Sequence, residues 1–195
     1  MADKEHVTLL LDAVAKGNDN AAAELWNAVH CEVHQMATSR LFRERQTASL
    51  QPTMVVNEIY MRIWPKDKEP PNFQNRRHFF GSISRVMEQF LIDYARSRNR
   101  IKRGGGRVKV SLTLAEGELN QLESVDTESI EILVESIRKL ALDLPQAADV
   151  VRLRYISGLT IDQVADALEI DRKAVIKDWE YARAWLKREL TRQLK

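Results

Sequence analysis

Three cations, Arg172, Lys173 and Lys177, open a segment in which Val175, Trp179, Ala182 and Leu186 recur at helical spacing. Asp171, immediately before them, is of a type that caps helices. Cations in the first turn oppose the helix dipole, which favours acids there, so an anionic partner would account for them. An apolar stripe holding a helix down while cations crowd its N-terminal half is the form of a recognition helix, where phosphates and base edges are met. Upstream, Thr160 and Gln163 stand at capping-box spacing, and Ile161, Val164, Ala165 and Leu168 fall on one face. With a turn at Glu169-Ile170 between them, the two segments read as a helix-turn-helix and point to DNA. The same pattern also fits an ordinary helical hairpin with a solvated face.

A second concentration of charge lies earlier. Between Arg76 and Lys109 there are ten Lys or Arg against Glu88 and Asp93, whereas Val110 to Ile137 holds seven acids and no cation. A basic block followed by an acidic one suggests a phosphate-facing segment and then a linker able to shield it or fold back on it. The whole-chain charge of +2 hides this arrangement.

Other chemistry is thin. His30 and His34 share a helix face, but two ligands do not close a tetrahedral zinc site, and His6 and His78 are distant in sequence, so no metal is expected. Cys31, the single cysteine, reads as a small buried hydrophobe and excludes an internal disulfide framework. Gly104-Gly105-Gly106 lacks the Lys-Ser/Thr of a phosphate loop, and no nucleophile has a paired base. Neither an enzyme nor a cofactor is expected.

The elements that must position these residues are helical. A 195-residue chain with 44% hydrophobic residues can form one domain or two small ones, and no apolar run approaches a membrane span. The N-terminus is charged and lacks a signal pattern, so a cytoplasmic protein is expected. Val7, Leu10, Leu11 and Val14 define a first helix ending near Gly17, and a second runs from Ala21 to about Arg45. Pro52 suits the first turn of a third, which Pro65 ends after Trp64. The proline-rich loop from Pro65 to Arg77 is stiff and exposed. A fourth helix spans about His78 to Arg100, apolar at Phe79, Ile83, Val86, Phe90 and Tyr94. The glycines and the weakly periodic, acidic stretch after them mark 102–127 as a linker, within which Val108 to Leu114 is the nearest approach to strand alternation. The expectation is an all-α chain of two small helical domains, 1–101 and 128–195, joined by a flexible linker.

In that order the two domains resemble bacterial sigma factors of the extracytoplasmic-function (ECF) class, in the sigma-70 family. The likeness is carried by Val56-Asn57-Glu58-Ile59-Tyr60-Met61-Arg62-Ile63-Trp64, similar to the family's VQEVFLRLW helix. Phe79-Phe80-Gly81-Ser82-Ile83-Ser84-Arg85 with Asp93-Tyr94-Ala95-Arg96 adds to it. The most specific part is Leu144-Pro145, Val151-Arg152-Leu153-Arg154-Tyr155, Gly158-Leu159-Thr160, Val164-Ala165 with Leu168, and Ala182-Arg183. The glycine linker and the ending Asp178 to Leu186 resemble one subgroup of the class.

The resemblance implies that 1–101 is a region 2-like domain for core polymerase binding, minus-ten recognition and melting, and that 128–195 is a region 4-like domain for the minus-thirty-five element. It puts Asn57, Glu58, Ile59, Arg62, Ile63 and Trp64 against the clamp helices of the largest RNA polymerase subunit. Here Gln51-Pro52-Thr53-Met54 replaces the usual Asp-Ala-Glu-Asp, which removes acidic partners and leaves more of the contact to Glu58 or to apolar groups. The loop corresponds to the segment that receives a flipped promoter base, with Asn72, Phe73, Asn75 and Arg76 as candidates; a hydrophobic plug is the equal alternative for Phe73. Arg85, Arg96, Arg98 and Arg100 suit phosphates. Arg172, Lys173 and Lys177 would read the upstream element in the major groove, with Arg183 on the backbone or in a salt bridge. Glu169 replaces a common turn glycine, while Ile176 and Asp178 stand where basic residues are frequent, so no base preference carries over. Promoter DNA, core RNA polymerase and an anti-sigma factor or other regulator are the implied partners.

Two rivals stay open from the residues alone. A two-domain helix-turn-helix regulator would bind an operator without polymerase, and a helical adaptor would bind protein only.

Overall fold

The computed structural model describes residues 3–38, 51–65, 71–101 and 127–193. Among them every regular element is helical. The linker at 102–126, the loop residues 66–70 and the stretch 39–45 expected to prolong the second helix lie outside the described residues, as does Val108 to Leu114.

The chain forms two compact units, one built from 1–87 and 152–172, the other from 88–151 and 173–195. Each therefore combines an early segment with a late one.

In the first unit, α1 (Lys4–Ala15) starts where the Asp3 carboxylate accepts from the Glu5 N–H at 3.2 Å, and buries Val7, Leu10, Leu11 and Val14. Gly17, at φ 78°, ends it in a left-handed conformation that glycine adopts without a Cβ penalty. Asn18 then caps α2 (Asp19–Ala37), which closes at Thr38, whose N–H donates to the carbonyls of His34 and Gln35. Buried Ala21, Leu25, Val29, Val33 and Met36 form its inner stripe. Cys31 lies off that stripe and is exposed, so the expectation of a buried thiol is corrected: two residues from both Val29 and Val33, it is turned away from the core.

Pro52 occupies the first turn of α3 (Pro52–Ile63), where a missing N–H costs nothing, and the helix buries Val55, Val56, Ile59 and Ile63. Asn75 precedes α4 (Arg76–Ile101): its Oδ1 accepts from the His78 N–H at 2.8 Å and its carbonyl from the Phe79 N–H at 3.1 Å. The inner stripe of α4 is Phe79, Phe80, Ile83, Met87 and Leu91. The pattern read from Val86, Phe90 and Tyr94 is thus displaced by about one position; these three are half-exposed, and Phe90 stacks on Tyr94 at 6.3 Å.

The second unit contains α5 (Thr127–Asp143) and α6 (Pro145–Val151), with Ile130, Leu133, Val134, Ile137 and Leu140 facing Ala147, Ala148 and Val150 across the core. A π-helical turn, Arg152–Ile156, follows α6 and is tied by the Ser157 N–H to the Arg152 carbonyl at 3.0 Å. Gly158, at φ 68°, turns the chain into α7 (Ile161–Leu168), after which α8 runs Arg172–Gln193. No helix among the described residues is long and apolar enough to cross a membrane.

Candidate nucleic-acid interface

The helix-turn-helix forms as its residues require. Thr160 Oγ1 accepts from the Gln163 N–H at 3.2 Å while the Thr160 N–H donates to Gln163 Oε1 at 2.8 Å, a reciprocal capping box at the start of α7. Val164, Ala167 and Leu168 are buried, with Ile161 and Ala165 half-exposed beside them. Glu169 ends α7 at φ 55°, ψ 44°, the left-handed conformation for which glycine is the usual residue. The Ile170 N–H reaches the Ala165 carbonyl at 3.1 Å, so the turn closes despite the side chain.

Along α8, Val175, Trp179, Ala182, Leu186 and Leu190 are buried, and Arg172, Lys173 and Lys177 are exposed. Arg172 Nε donates to Asp162 Oδ1 at 2.8 Å, joining the start of α8 to the first turn of α7. With side chains 61% and 73% exposed, that pair is screened and exchangeable for a phosphate at small cost. Arg183 is half-buried, with its guanidinium 5.9 Å from the centre of the Trp179 ring. Asp178 accepts from Gln146 Nε2 at 2.7 Å and is half-buried, which fixes its carboxylate against α6. Gln146 was invisible as its partner because thirty-two residues separate the two.

In the first unit the loop before α4 is held by aromatic packing. Phe73 is 5% exposed and meets Phe79 at 5.0 Å and Trp64 at 6.3 Å, both edge-on. Trp64 continues the run to Trp26 at 5.4 Å, and Tyr60 meets Trp26 at 5.2 Å. Of the two roles open to Phe73, this geometry is that of a plug. Asn72, Gln74 and Asn75 are exposed around it, although the Asn75 side chain already caps α4.

Arg76 is 1% exposed. Its Nε donates to the Asp166 carbonyl at 3.3 Å, its guanidinium lies 5.0 Å from the Phe80 ring centre, and Nη1 and Nη2 find no hydrogen-bond partner among the described residues. Burial pushes the guanidinium below its ordinary pKa, opposed by the charges of Asp166, Glu32 and Glu169. The phosphate contact expected of Arg76 is not available in this arrangement. Arg85 is exposed, and Arg96, also exposed, donates to Glu131 at 2.6 Å. Arg98 and Arg100 belong to the last turn of α4, and their side chains lie outside the described residues.

The outer face of α3 is more apolar than expected. Ile59 and Ile63 are buried in the unit's own core and Trp64 is half-buried, whereas Met54, Tyr60 and Met61 are 53%, 39% and 57% exposed beside exposed Asn57. Arg62 Nε donates to Glu58 at 2.7 Å, one turn away. Positions 54, 57, 58 and 61 share a helix face, so the recurrence of methionine seven residues apart was the available signal.

Compared with known protein families, the chain matches the model of the ECF sigma factors over residues 4–192. No curated protein and no solved structure matches it.

Proposed function

The chain belongs to the ECF sigma factor family, and from that premise we propose how its residues divide the work of a transcription initiation factor that directs promoter-specific transcription. Core RNA polymerase docks on the outer face of α3. Met54, Tyr60 and Met61 supply apolar area, while Asn57, Glu58 and Arg62 supply polar contacts at its rim. Ile59, Ile63 and Trp64 act from beneath, holding the helix in place. With the usual acidic run replaced by Gln51-Pro52-Thr53-Met54, this interface depends less on salt than one built on carboxylates.

Upstream DNA is read by α8, with Lys173 and Lys177 facing the major groove, Arg172 exchanging Asp162 for DNA, and Arg183 on the backbone. Downstream, the loop around Phe73 and the start of α4 take the minus-ten strand as it melts. Phe73 shapes that loop from within, Asn72 and Asn75 face the bases, and Arg85, Arg96, Arg98 and Arg100 track phosphates, while buried Arg76 supports the start of α4. These sites require core polymerase and promoter DNA together, which places the activity in the cytoplasm.

The single observation that carries this reading is the pairing of a buried stripe with an exposed cationic first half on α8, behind a capped α7. The test is core polymerase plus the purified chain on a genomic promoter library, with transcript start sites mapped. New starts that depend on the chain are expected. Tight operator binding without any new start would overturn the proposal in favour of a regulator that works without polymerase.

A further inference from the structure

The last turns of α8 carry a second cationic surface. Lys187, Arg188, Thr191 and Arg192 are exposed and, with Ala184, line an open depression of about 470 Å³. Ala184 leaves its floor low, and the aliphatic stems of the three cations wall it. Tyr181, 52% exposed, stands on the turn before Ala184.

Among the described residues no ion pair or hydrogen bond engages the side chains of Lys187, Arg188 or Arg192. Lys187 and Arg188 have no acid three or four residues away on the helix. Glu189 is three residues from Arg192, but it pairs with Lys139 of α5 at 3.0 Å, and its side chain is only 12% exposed. Arg188 and Arg192, four residues apart, repel each other across one turn. The helix dipole offsets this for Arg192 alone, since its effect fades within the last turn and Lys187 and Arg188 stand before it. The cluster weakens the free helix and gains from an anion brought to it.

Lys187 shares a helix face with Lys173 and Lys177, so DNA is the rival occupant. Two observations disfavour it. At about 1.5 Å per residue, Lys187 and Arg192 stand about 15 and 22 Å along the helix from Lys177, past a major groove about 12 Å wide. Exposed Glu180 also interrupts the cationic row, where it would repel a continuous track of phosphates. A tyrosine and arginines around an open depression have instead the composition of a protein-binding surface.

We propose that this surface docks an acidic, amphipathic segment of a partner protein, its carboxylates on Lys187, Arg188 and Arg192 and an apolar side chain over Ala184 against Tyr181, while Lys173 and Lys177 hold DNA. That the site stays open on a promoter rests on the proposed reading of α8 as the DNA-reading helix.

The probe is a labelled synthetic peptide of glutamates and leucines at helical spacing, beside a leucine-free peptide of the same charge, each titrated with the full chain at physiological ionic strength. The amphipathic peptide should bind, and its affinity should fall at least about tenfold in Lys187→Ala/Arg188→Ala/Arg192→Ala and about threefold in Tyr181→Ser, but change less than about twofold in Lys173→Ala/Lys177→Ala. All these side chains are exposed, so the variants should keep the parent's circular dichroism and Tm. Absence of binding, equal affinity of the two peptides, or equal affinity of parent and triple variant would each overturn the proposal. Promoter DNA supplies a second arm. Duplex at saturation should leave the peptide affinity within about twofold, and the triple variant should bind duplex within about threefold of the parent. Displacement of the peptide by duplex, with duplex binding lost in the triple variant, would assign the surface to DNA instead. The two readings fail separately: if Lys173→Ala/Lys177→Ala leaves duplex binding intact, the reading of the first half of α8 fails, while the docking site stands or falls on the peptide arm.

Discussion

Glu169 holds a left-handed backbone that glycine would adopt freely. The Cβ penalty there is about 1–2 kcal/mol, and glycine's greater freedom in the unfolded chain returns roughly 0.5–1 kcal/mol of it. The first effect wins, so Glu169→Gly should stabilise by about 0.5 kcal/mol and raise Tm by roughly 1–2 °C in a calorimetric scan. Glu169 is exposed, so its attraction for Arg76 is screened and does not reverse the sign. Thr160→Ala removes the hydroxyl that accepts from the Gln163 N–H, leaving only the backbone half of the capping box, and should cost about 1 kcal/mol, seen as a Tm lower by roughly 2–4 °C. Thr160 and Gln163 were readable in advance because a cap is a local bond between residues three apart. The roles of Phe73 and Cys31 were not, since each depends on which neighbours arrive from other helices.

In the proposed division of contacts, helices α3 and α8 work on opposite principles. On α3 the exposed methionines offer an apolar face, so Met61→Asp should weaken binding to core polymerase at least about tenfold in a competition assay. Tm should hardly change, because Met61 is 57% exposed in the free chain. On α8 the contribution is ionic. Lys173→Ala should weaken promoter binding and flatten the slope of log affinity against log salt by about 1. An affinity identical to the parent at every salt concentration would remove Lys173 from the interface. The stripe Val175, Trp179, Ala182, Leu186 could be read directly, since a single helix with one buried face imposes its period on the sequence. In α4 the same reasoning chose the wrong face for Val86, Phe90 and Tyr94. That helix is apolar on several sides, with Phe79 and Phe80 both buried, so its period leaves the orientation ambiguous by about one residue.

A grip at two distant DNA elements makes their contributions interdependent. If α8 holds the upstream element, it raises the effective concentration of the melting segment at the downstream one. Lys173→Ala should therefore reduce initiation by core polymerase more on a promoter with both elements than on one whose upstream element is scrambled. Equal losses on the two templates would limit Lys173 to the phosphates and remove it from the bases.

What could be derived from residue order was the all-helical class, the capped helix-turn-helix, the cationic row of α8 and the family. Each is encoded by spacing within a few residues or by motifs short enough to be read in order along the chain. The burial of Arg76 under Asp166, the engagement of Asp178 by Gln146, and the choice of Met54, Tyr60 and Met61 as the outer face of α3 emerged only on folding. Each needs residues from separate helices, 90 apart for Arg76 and Asp166, and no local period records which distant surface a side chain will meet.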